Sequence, residues 1–304
     1  MCWLCDLKTS TQSAQPLTQL GAGHAAQGEH RWSSRRGFLL AAGAAAATSF
    51  VPSESAAQVD VGNASGLRKL VPAQQLEQAA ARQYRSMMDE ARRQRALAPD
   101  DHPQLRRLRA IAQDLIPFAQ PWNDRSSQWT WEINLIASDQ INAFCMPGGK
   151  IAFYTGILDT LKLSDDEAAM IMGHEMAHAL REHARARLAK SQATSIGLSI
   201  GAQLLGLGEL GNVAANLGTE LLTLQFSRSD ETEADLVGLE LAARGAYQPQ
   251  ASVTLWEKMT AQTGSGGPGF LSTHPAGPNR IRELQANVPK VAALYQAALD
   301  RKQR

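Results

Sequence analysis

The sequence predicts an α+β fold that is mainly α, with one small β-sheet beside a central helix. Three observations support this: several stretches with apolar residues at helical spacing, one segment that alternates apolar and polar residues, and a capping signal before an apolar helix. The chain has 304 residues, of which 44% are hydrophobic and 19% charged, as in folded globular proteins. Coiled coils, collagen-like repeats and wholesale disorder are therefore excluded.

The helices and strands are predicted from these local patterns. Leu76, Ala79 and Ala80 begin an apolar stripe that indicates a helix over 72–97, and a second stripe indicates one over 103–118. Period-two alternation and apolar runs indicate strands over 129–135, 141–144 and 150–154. The capping box Ser164–Glu167 starts a helix that should run to about Lys190. Further helices are predicted over 228–244, 252–260 and 279–299, the last divided at Pro289.

Charge and cysteine content exclude two classes of protein. Lys and Arg total 30 and Asp and Glu total 29, so the chain lacks the basic field on which nucleic-acid binding depends. We therefore predict no nucleic-acid partner. Cys145 is the only cysteine outside the extreme N-terminus, and one cysteine cannot build a disulfide framework.

Residues 1–57 have the pattern of an export signal with a long n-region. The segment Ser34–Leu40 resembles the twin-arginine signal, and an Ala-rich run over 39–50 and the small residues Ser55-Ala56-Ala57 follow. That run is too short to span a bilayer core of about 30 Å. We predict twin-arginine export, with a Sec signal as the alternative, cleavage near Ala57 and a periplasmic location. A linker over 58–72 and one domain over 73–304 complete the predicted organisation.

An apolar, glycine-rich region lies between the two most informative helices. Residues 195–208 contain fourteen mostly apolar residues, and Leu221–Phe226 continue that character. The stretch is too short for a transmembrane helix. Core or lid helices are one interpretation, and a peripheral membrane contact through 195–226 is the other.

A metal site is indicated by His174-Glu175-Met176-Ala177-His178, which is H-E-x-x-H within a helical segment. Histidines at i and i+4 share a helix face and can bind one zinc ion, and the glutamate that follows the first histidine can act as general base. His183 departs from that face, so we expect it to be solvated. A catalytic zinc still requires a third protein ligand.

Three acidic residues after Ser227 are candidates for the third ligand. Glu231 and Asp235 are four residues apart, so one could bind zinc while the other accepts the free ring N–H of a ligand histidine. Glu233 lies on another face of the helix. The residues alone leave the ligand open among the three, and a purely capping role for them also stays open.

Five motifs together resemble the HtpX-like zinc metallopeptidases, a family that includes the CAAX prenyl and mitochondrial Oma-type endopeptidases. The motifs are H-E-x-x-H at 174–178, S-R-x-x-E-x-E-A-D-x-x-G at 227–238, N-A-F-x-x-P-G-G at 142–149, Thr155–Leu158, and Thr273-His274-Pro275. The resemblance implies a zincin-like helical catalytic domain of the soluble, periplasmic Oma-type branch. It also implies one Zn²⁺ per chain held by His174, His178 and Glu231, with Glu175 as base and Asp235 as partner of a ligand histidine.

Further roles follow from the resemblance as expectations. The protein should be a zinc-dependent endopeptidase of the cell envelope that cleaves unfolded or misassembled proteins in quality control; a chaperone or assembly factor that keeps the zinc site is the alternative. The segment expected to pair with an extended substrate comprises Asn142, Ala143, Phe144, Gly148 and Gly149. His274 could be an inhibitory latch on the metal, an oxyanion donor, or a turn residue that packs away. The oligomeric state stays open.

Overall fold

The computed structural model describes residues 59–199, 221, 224–261, 270–274 and 279–304. The segment 1–57 predicted as an export signal, most of the apolar region 195–226 and the glycine-rich sequence 264–269 lie outside these residues, so the predictions about them stay predictions. Among the described residues, no helix has the length and apolar character needed to cross a bilayer.

The described part of the chain is mainly helical with a three-stranded sheet, which confirms the predicted fold class. The helices are α1 Ala73–Arg93, α2 Pro103–Leu115, α3 Thr155–Thr160, α4 Asp165–Leu180, α5 His183–Ser199, α6 Arg228–Arg244, α7 Ala251–Ala261, α8 Phe270–Thr273 and α9 Arg280–Lys302. The strands are β1 Glu132–Ile136, β2 Ala143–Met146 and β3 Lys150–Tyr154. Short 3₁₀ helices cover Gly66–Leu70, Ile116–Phe118 and Asp124–Gln128.

The sheet has the order β1-β3-β2 and leaves β2 at an edge. Strand β3 pairs in parallel with β1 and antiparallel with β2, where Phe144 lies opposite Ala152. Among the described residues, the outer side of β2 pairs with no strand. Helix α4 packs against β2 as well as against α2, α6 and α7.

Helix α4 forms the centre of the core. Its start is fixed by a complete capping box, in which Glu167 N donates to Ser164 Oγ and Ser164 N donates to Glu167 Oε2. Every residue from Glu167 to Leu180 is buried, because helices and the sheet enclose all sides of α4. The helix that carries H-E-x-x-H is therefore rigidly placed.

The predicted single helix from 164 to 190 is wrong, because the chain turns after Leu180. Glu182 adopts a left-handed conformation with φ of 57°, and a new helix, α5, begins at His183. The Glu182 carboxylate binds Arg68 at 3.3 Å and Arg185 at 2.8 Å. These two ion pairs stabilise the turn between α4 and α5. No Gly or Pro in the sequence marks its position.

The predicted division of the last helix at Pro289 is also wrong, because α9 continues through the proline. A proline inside a helix costs about 3 kcal/mol. Leu284, Asn287, Val291 and Ala298 are buried on both sides of it, and α9 packs against α6 and α7. The free energy gained by this packing outweighs the tendency of proline to end a helix.

The segment expected as a linker lies against the domain from Val59 onward. Val59 N donates to Glu240 Oε2 at 3.0 Å, Arg181 donates to the Gly62 carbonyl oxygen at 2.8 Å, and Arg185 donates to the Val71 carbonyl oxygen. Residues 59–71 therefore belong to the folded part of the chain.

Candidate metal centre

Four buried side chains converge at one point between α4, α6 and α8. They are His174, His178, Glu231 and His274, and each offers one ligand atom within 4.8 Å of the others. Helix α4 supplies the two histidines of H-E-x-x-H, α6 supplies Glu231, and His274 directly follows α8.

The distances within this group fit a tetrahedral zinc ion. The Nε2 atoms of His174 and His178 are 3.1 Å apart, and His274 Nδ1 is 3.3 Å from His174 Nε2. Glu231 Oε2 and Oε1 lie 3.6 and 3.5 Å from His174 Nε2 and His178 Nε2, respectively. Tetrahedral ligands about 2.0 to 2.1 Å from zinc are about 3.3 Å from one another. The ring nitrogens of His174, His178 and His274 therefore face one another at distances that allow them to bind the same cation.

A close contact between two glycines brings the third candidate ligand to the histidines. A Cβ added to Gly173 would lie 2.7 Å from the Gly238 carbonyl oxygen, and one added to Gly238 would lie 2.6 Å from His174 N. Real side chains do not fit at these distances, so α4 and α6 can approach this closely only because both residues are glycine. Glu231, two turns before Gly238, and Asp235, one turn before it, are thereby placed against His174.

Asp235 lies behind His174 and is itself held by an arginine. Its Oδ1 is 3.0 Å from His174 Nδ1, so that the other ring nitrogen of His174 faces the centre. Arg280 binds Asp235 through two contacts of 2.7 Å and approaches Glu231 Oε2 at 2.7 Å. Burial alone would raise the pKa of Asp235, but the Arg280 charge and the His174 hydrogen bond outweigh it and lower it to about 2. Asp235 is therefore ionised.

Sequence reasoning missed Arg280, whose guanidinium also lies 3.5 Å above the Trp256 ring. The position of Arg280 in the sequence could have indicated that it has acidic partners. Arg280 is the first residue of α9, where a positive charge is unfavourable next to the helix dipole. A cation in that position suggests acidic partners outside its own helix.

Glu175 is buried beside the four convergent groups and is poorly solvated. Its Oε1 accepts no hydrogen bond and lies 3.4 Å from His274 Nε2. Burial raises the pKa of Glu175, although the nearby His274 and His174 oppose this shift. A carboxylate whose pKa is raised toward neutrality is suited to accept and return a proton.

His274 faces the centre rather than packing away from it. Its Nδ1 lies 3.1 Å from Glu231 Oε1, and its side chain is 4% exposed. Burial opposes protonation of this ring, but the Glu175 charge and the Glu231 hydrogen bond outweigh it and raise the pKa of His274.

His183 is buried, so the expectation that it is solvated is wrong. It is 3% exposed, and its Nδ1 lies 2.9 Å from His178 Nδ1. Glu233, left open as a ligand, binds His183 and Arg181 instead and lies away from the convergent group. The turn at Glu182 explains the difference, since His183 is not on the helix of His174 and His178.

A cavity of about 240 Å³ opens beside the site. Ala143 and Phe144 of β2 line the cavity together with Asn142, which directly precedes the strand, and Glu175 and His178 also line it. Leu76, Leu224 and Phe226 give the cavity an apolar side.

Gly148 and Gly149 were expected in the segment that pairs with substrate, but they form the β2–β3 turn. Their φ angles are 86° and 74°, a left-handed conformation that suits glycine. Gly148 contacts Glu77 and Gly149 packs against Trp131. Of the expected segment, Asn142, Ala143 and Phe144 line the cavity.

An H-E-x-x-H helix, a carboxylate from a second helix and a buried glutamate beside an open cavity define a metallopeptidase site. The profile of Peptidase family M48 matches residues 103–288, more than half of the chain, and the chain belongs to this family. Membership confirms the predicted family, the metalloendopeptidase class and zinc as cofactor.

Curated relatives share this region. The chain is 38% identical over 167 residues to "Mitochondrial metalloendopeptidase OMA1" of Schizosaccharomyces pombe, covering 54% of this chain and 48% of the relative. It is 32% identical over 215 residues to the protein of that name in Saccharomyces cerevisiae, covering 67% and 61%. It is 33% identical over 164 residues to "Beta-barrel assembly-enhancing protease" of Escherichia coli, covering 50% and 33%. The chain thus matches less than two thirds of each relative's length.

These comparisons contradict the predicted periplasmic location. The first two relatives are mitochondrial by name, and this finding overturns the prediction of a bacterial periplasm. The similarity of 34–40 to a twin-arginine signal therefore does not establish export to a periplasm.

Proposed function

We propose that this chain is a zinc endopeptidase that cleaves extended, unfolded segments of other proteins and so serves protein quality control. One observation carries the proposal: Ala143 and Phe144 of β2, an edge strand among the described residues, line the same cavity as Glu175 and His178. An extended segment can add to such an edge through main-chain hydrogen bonds. A folded protein cannot do so, because its main-chain groups are already paired.

We assign His174, His178 and Glu231 as the zinc ligands, with Asp235 orienting His174. Two imidazoles and one carboxylate are a typical catalytic ligand set that leaves a position for water or substrate. Glu233 is disfavoured because it is engaged by Arg181 and His183. Zinc, when bound, supplies Lewis-acid polarisation of the substrate carbonyl and activation of water.

The residues around the ligands complete the chemistry. Glu175 takes a proton from water at its unpaired Oε1 and later returns a proton to the nitrogen of the leaving amine. The β2 edge orients the substrate backbone along the cavity, and Leu76, Leu224 and Phe226 offer an apolar surface to its side chains. Asp235 and Arg280 keep the His174 ring fixed while this occurs.

His274 acts in this proposal as a latch. Its Nδ1 belongs to the convergent group, at the place that water or substrate would need. Withdrawal of His274 would open that position. The alternative, an oxyanion donor, predicts the opposite effect of removing the ring.

The proposal is tested with casein, which is largely unfolded, and with a stably folded globular protein of similar size. Casein should be cleaved and the folded protein should not, and a zinc chelator should stop cleavage. A peptide with N-methylated amides facing β2 should resist cleavage, whereas one methylated at the alternate amides should be cleaved. Equal cleavage of both peptides would contradict binding along the β2 edge.

A further inference from the structure

The ring of His178 is fixed on its outer side by a second histidine. His178 Nε2 faces His174 Nε2 at 3.1 Å, and His178 Nδ1 faces away and lies 2.9 Å from His183 Nδ1. The Phe226 ring stacks on His178 with centroids 3.9 Å apart. Phe226 thus fixes the plane of the ring, and the contact with His183 fixes its rotation within that plane.

We propose that His183 is a positioning residue for the metal centre, which holds His178 in one tautomer and one orientation. The inference rests on the assignment of His178 as a zinc ligand. A neutral imidazole that binds metal through Nε2 carries its proton on Nδ1. His178 Nδ1–H then donates to His183 Nδ1, so His183 carries its own proton on Nε2.

The surroundings of His183 select that tautomer. Its Nε2 lies 3.3 Å from Glu233 Oε2, a carboxylate oxygen that can only accept when ionised. His183 is 3% exposed, so water competes little for either ring nitrogen. His178 Nδ1–H thus donates to His183 Nδ1, and His183 Nε2–H donates to Glu233 Oε2.

Arg181 anchors the far end of this series. Its Nε donates to Glu233 Oε2 at 2.9 Å, and its Nη2 donates to the Gly62 carbonyl oxygen at 2.8 Å. Arg181 also pairs with the Glu233 carboxylate through Nη2 at 2.9 Å, so this carboxylate acts as an acceptor for His183.

The helix break makes this arrangement possible. In a continuous α-helix, residues five apart point about 140° away from each other. The left-handed Glu182, with φ of 57°, instead turns the chain so that His183 lies against His178. The two ligand histidines are thus supported differently, His174 by the carboxylate of Asp235 and His178 by a neutral imidazole.

The test compares zinc affinity in three variants of the full chain by competition with a chromogenic chelator. His183→Leu removes the acceptor but keeps bulk, and should weaken zinc binding about 10- to 100-fold. His183→Asn places its amide oxygen where Nδ1 was, and should bind zinc within about threefold of the parent. His102→Leu is the control, because the hydrogen bond that His102 Nδ1 accepts from Gln104 N is local. In the Co²⁺-loaded form, the visible spectrum should change in the leucine variant and recover in the asparagine variant.

A purely structural role predicts a different pattern. His183→Leu would then lower the thermal midpoint of the chelated protein and leave zinc affinity unchanged, which would overturn the proposal. If the leucine variant does not fold, the asparagine variant decides: a loss of tenfold or more in its zinc affinity would overturn the proposal. His178→Ala tests the ligand assignment separately, because it should abolish tight zinc binding whatever the result at His183.

Discussion

Most of the buried carboxylates around the metal centre face an arginine side chain. Asp235 and Glu231 face Arg280, and Glu233 faces Arg181. Glu175 differs, since its Oε1 accepts no hydrogen bond and burial raises its pKa. Glu231 Oε2 also accepts no hydrogen bond of good geometry, but the Arg280 guanidinium lies 2.7 Å away and balances its charge. Glu175 Oε1 instead lies 3.4 Å from His274 Nε2, and the proposed chemistry requires this carboxylate to exchange a proton.

The ligand assignment predicts that Glu231→Ala loses tight zinc binding and Glu233→Ala does not. Glu231 contributes one of the convergent ligand atoms, whereas Glu233 binds Arg181 and His183. Zinc content of the purified variants, measured by atomic emission, is the readout. Full occupancy in Glu231→Ala with an empty site in Glu233→Ala would reassign the third ligand.

Removal of His274 should raise basal proteolysis of casein while zinc content stays near one per chain. The physical reason is that His274 Nδ1 lies 3.3 Å from His174 Nε2, where it competes with water or substrate for the fourth position. Initial cleavage rates of the parent and His274→Ala chains provide the comparison. A lower rate at unchanged zinc content would favour the oxyanion role and contradict the latch.

At the scale of elements, the site depends on how closely α4 approaches α6. The sequence predicted the start of α4 from its capping box and the bounds of α6 from its local pattern, since these signals are local. It could not predict the contact between Gly173 and Gly238, the break at Glu182 or the burial of His183, because each depends on residues distant in the chain. The position of Arg280 at the start of α9 could have indicated acidic partners, but not which ones, because Asp235 and Glu231 lie 45 or more residues away.

Gly238→Ala should separate α4 from α6 and weaken zinc binding. The added Cβ would meet His174 N at 2.6 Å, and overpacking of this kind costs about 1–3 kcal/mol of unfolding free energy. Denaturant unfolding and zinc competition measure the two effects. Gly66→Ala is the control, because a Cβ there would meet nothing within 4 Å. Equal behaviour of the two variants would show that the close helix contact does not position the site.

At the scale of the whole molecule, several buried carboxylates make stability depend on pH. The pKa of Asp235 is lowered to about 2, and those of Glu167, Glu231 and Glu233 are also lowered. A carboxylate with a lowered folded pKa stabilises the fold above its unfolded pKa of about 4, and this stabilisation is lost as pH falls through the folded value.

We therefore expect the unfolding free energy of the chelated protein to fall between about pH 4 and pH 2. Urea unfolding at a series of pH values measures this dependence. Asp235→Asn removes one titrating group, so its curve should be flatter over the same interval. A variant curve as steep as that of the parent would contradict the contribution assigned to Asp235.

The central claim, that this chain hydrolyses peptide bonds with zinc and the Glu175 carboxylate, is tested most directly by Glu175→Gln. Zinc content and casein cleavage are measured on the same sample, with Glu257→Gln, which alters an exposed glutamate of α7, as control. We predict that Glu175→Gln keeps about one zinc per chain and loses about 10²- to 10⁴-fold in cleavage rate, because only the proton acceptor is removed. Cleavage at the parent rate by the zinc-loaded Glu175→Gln variant would contradict the account.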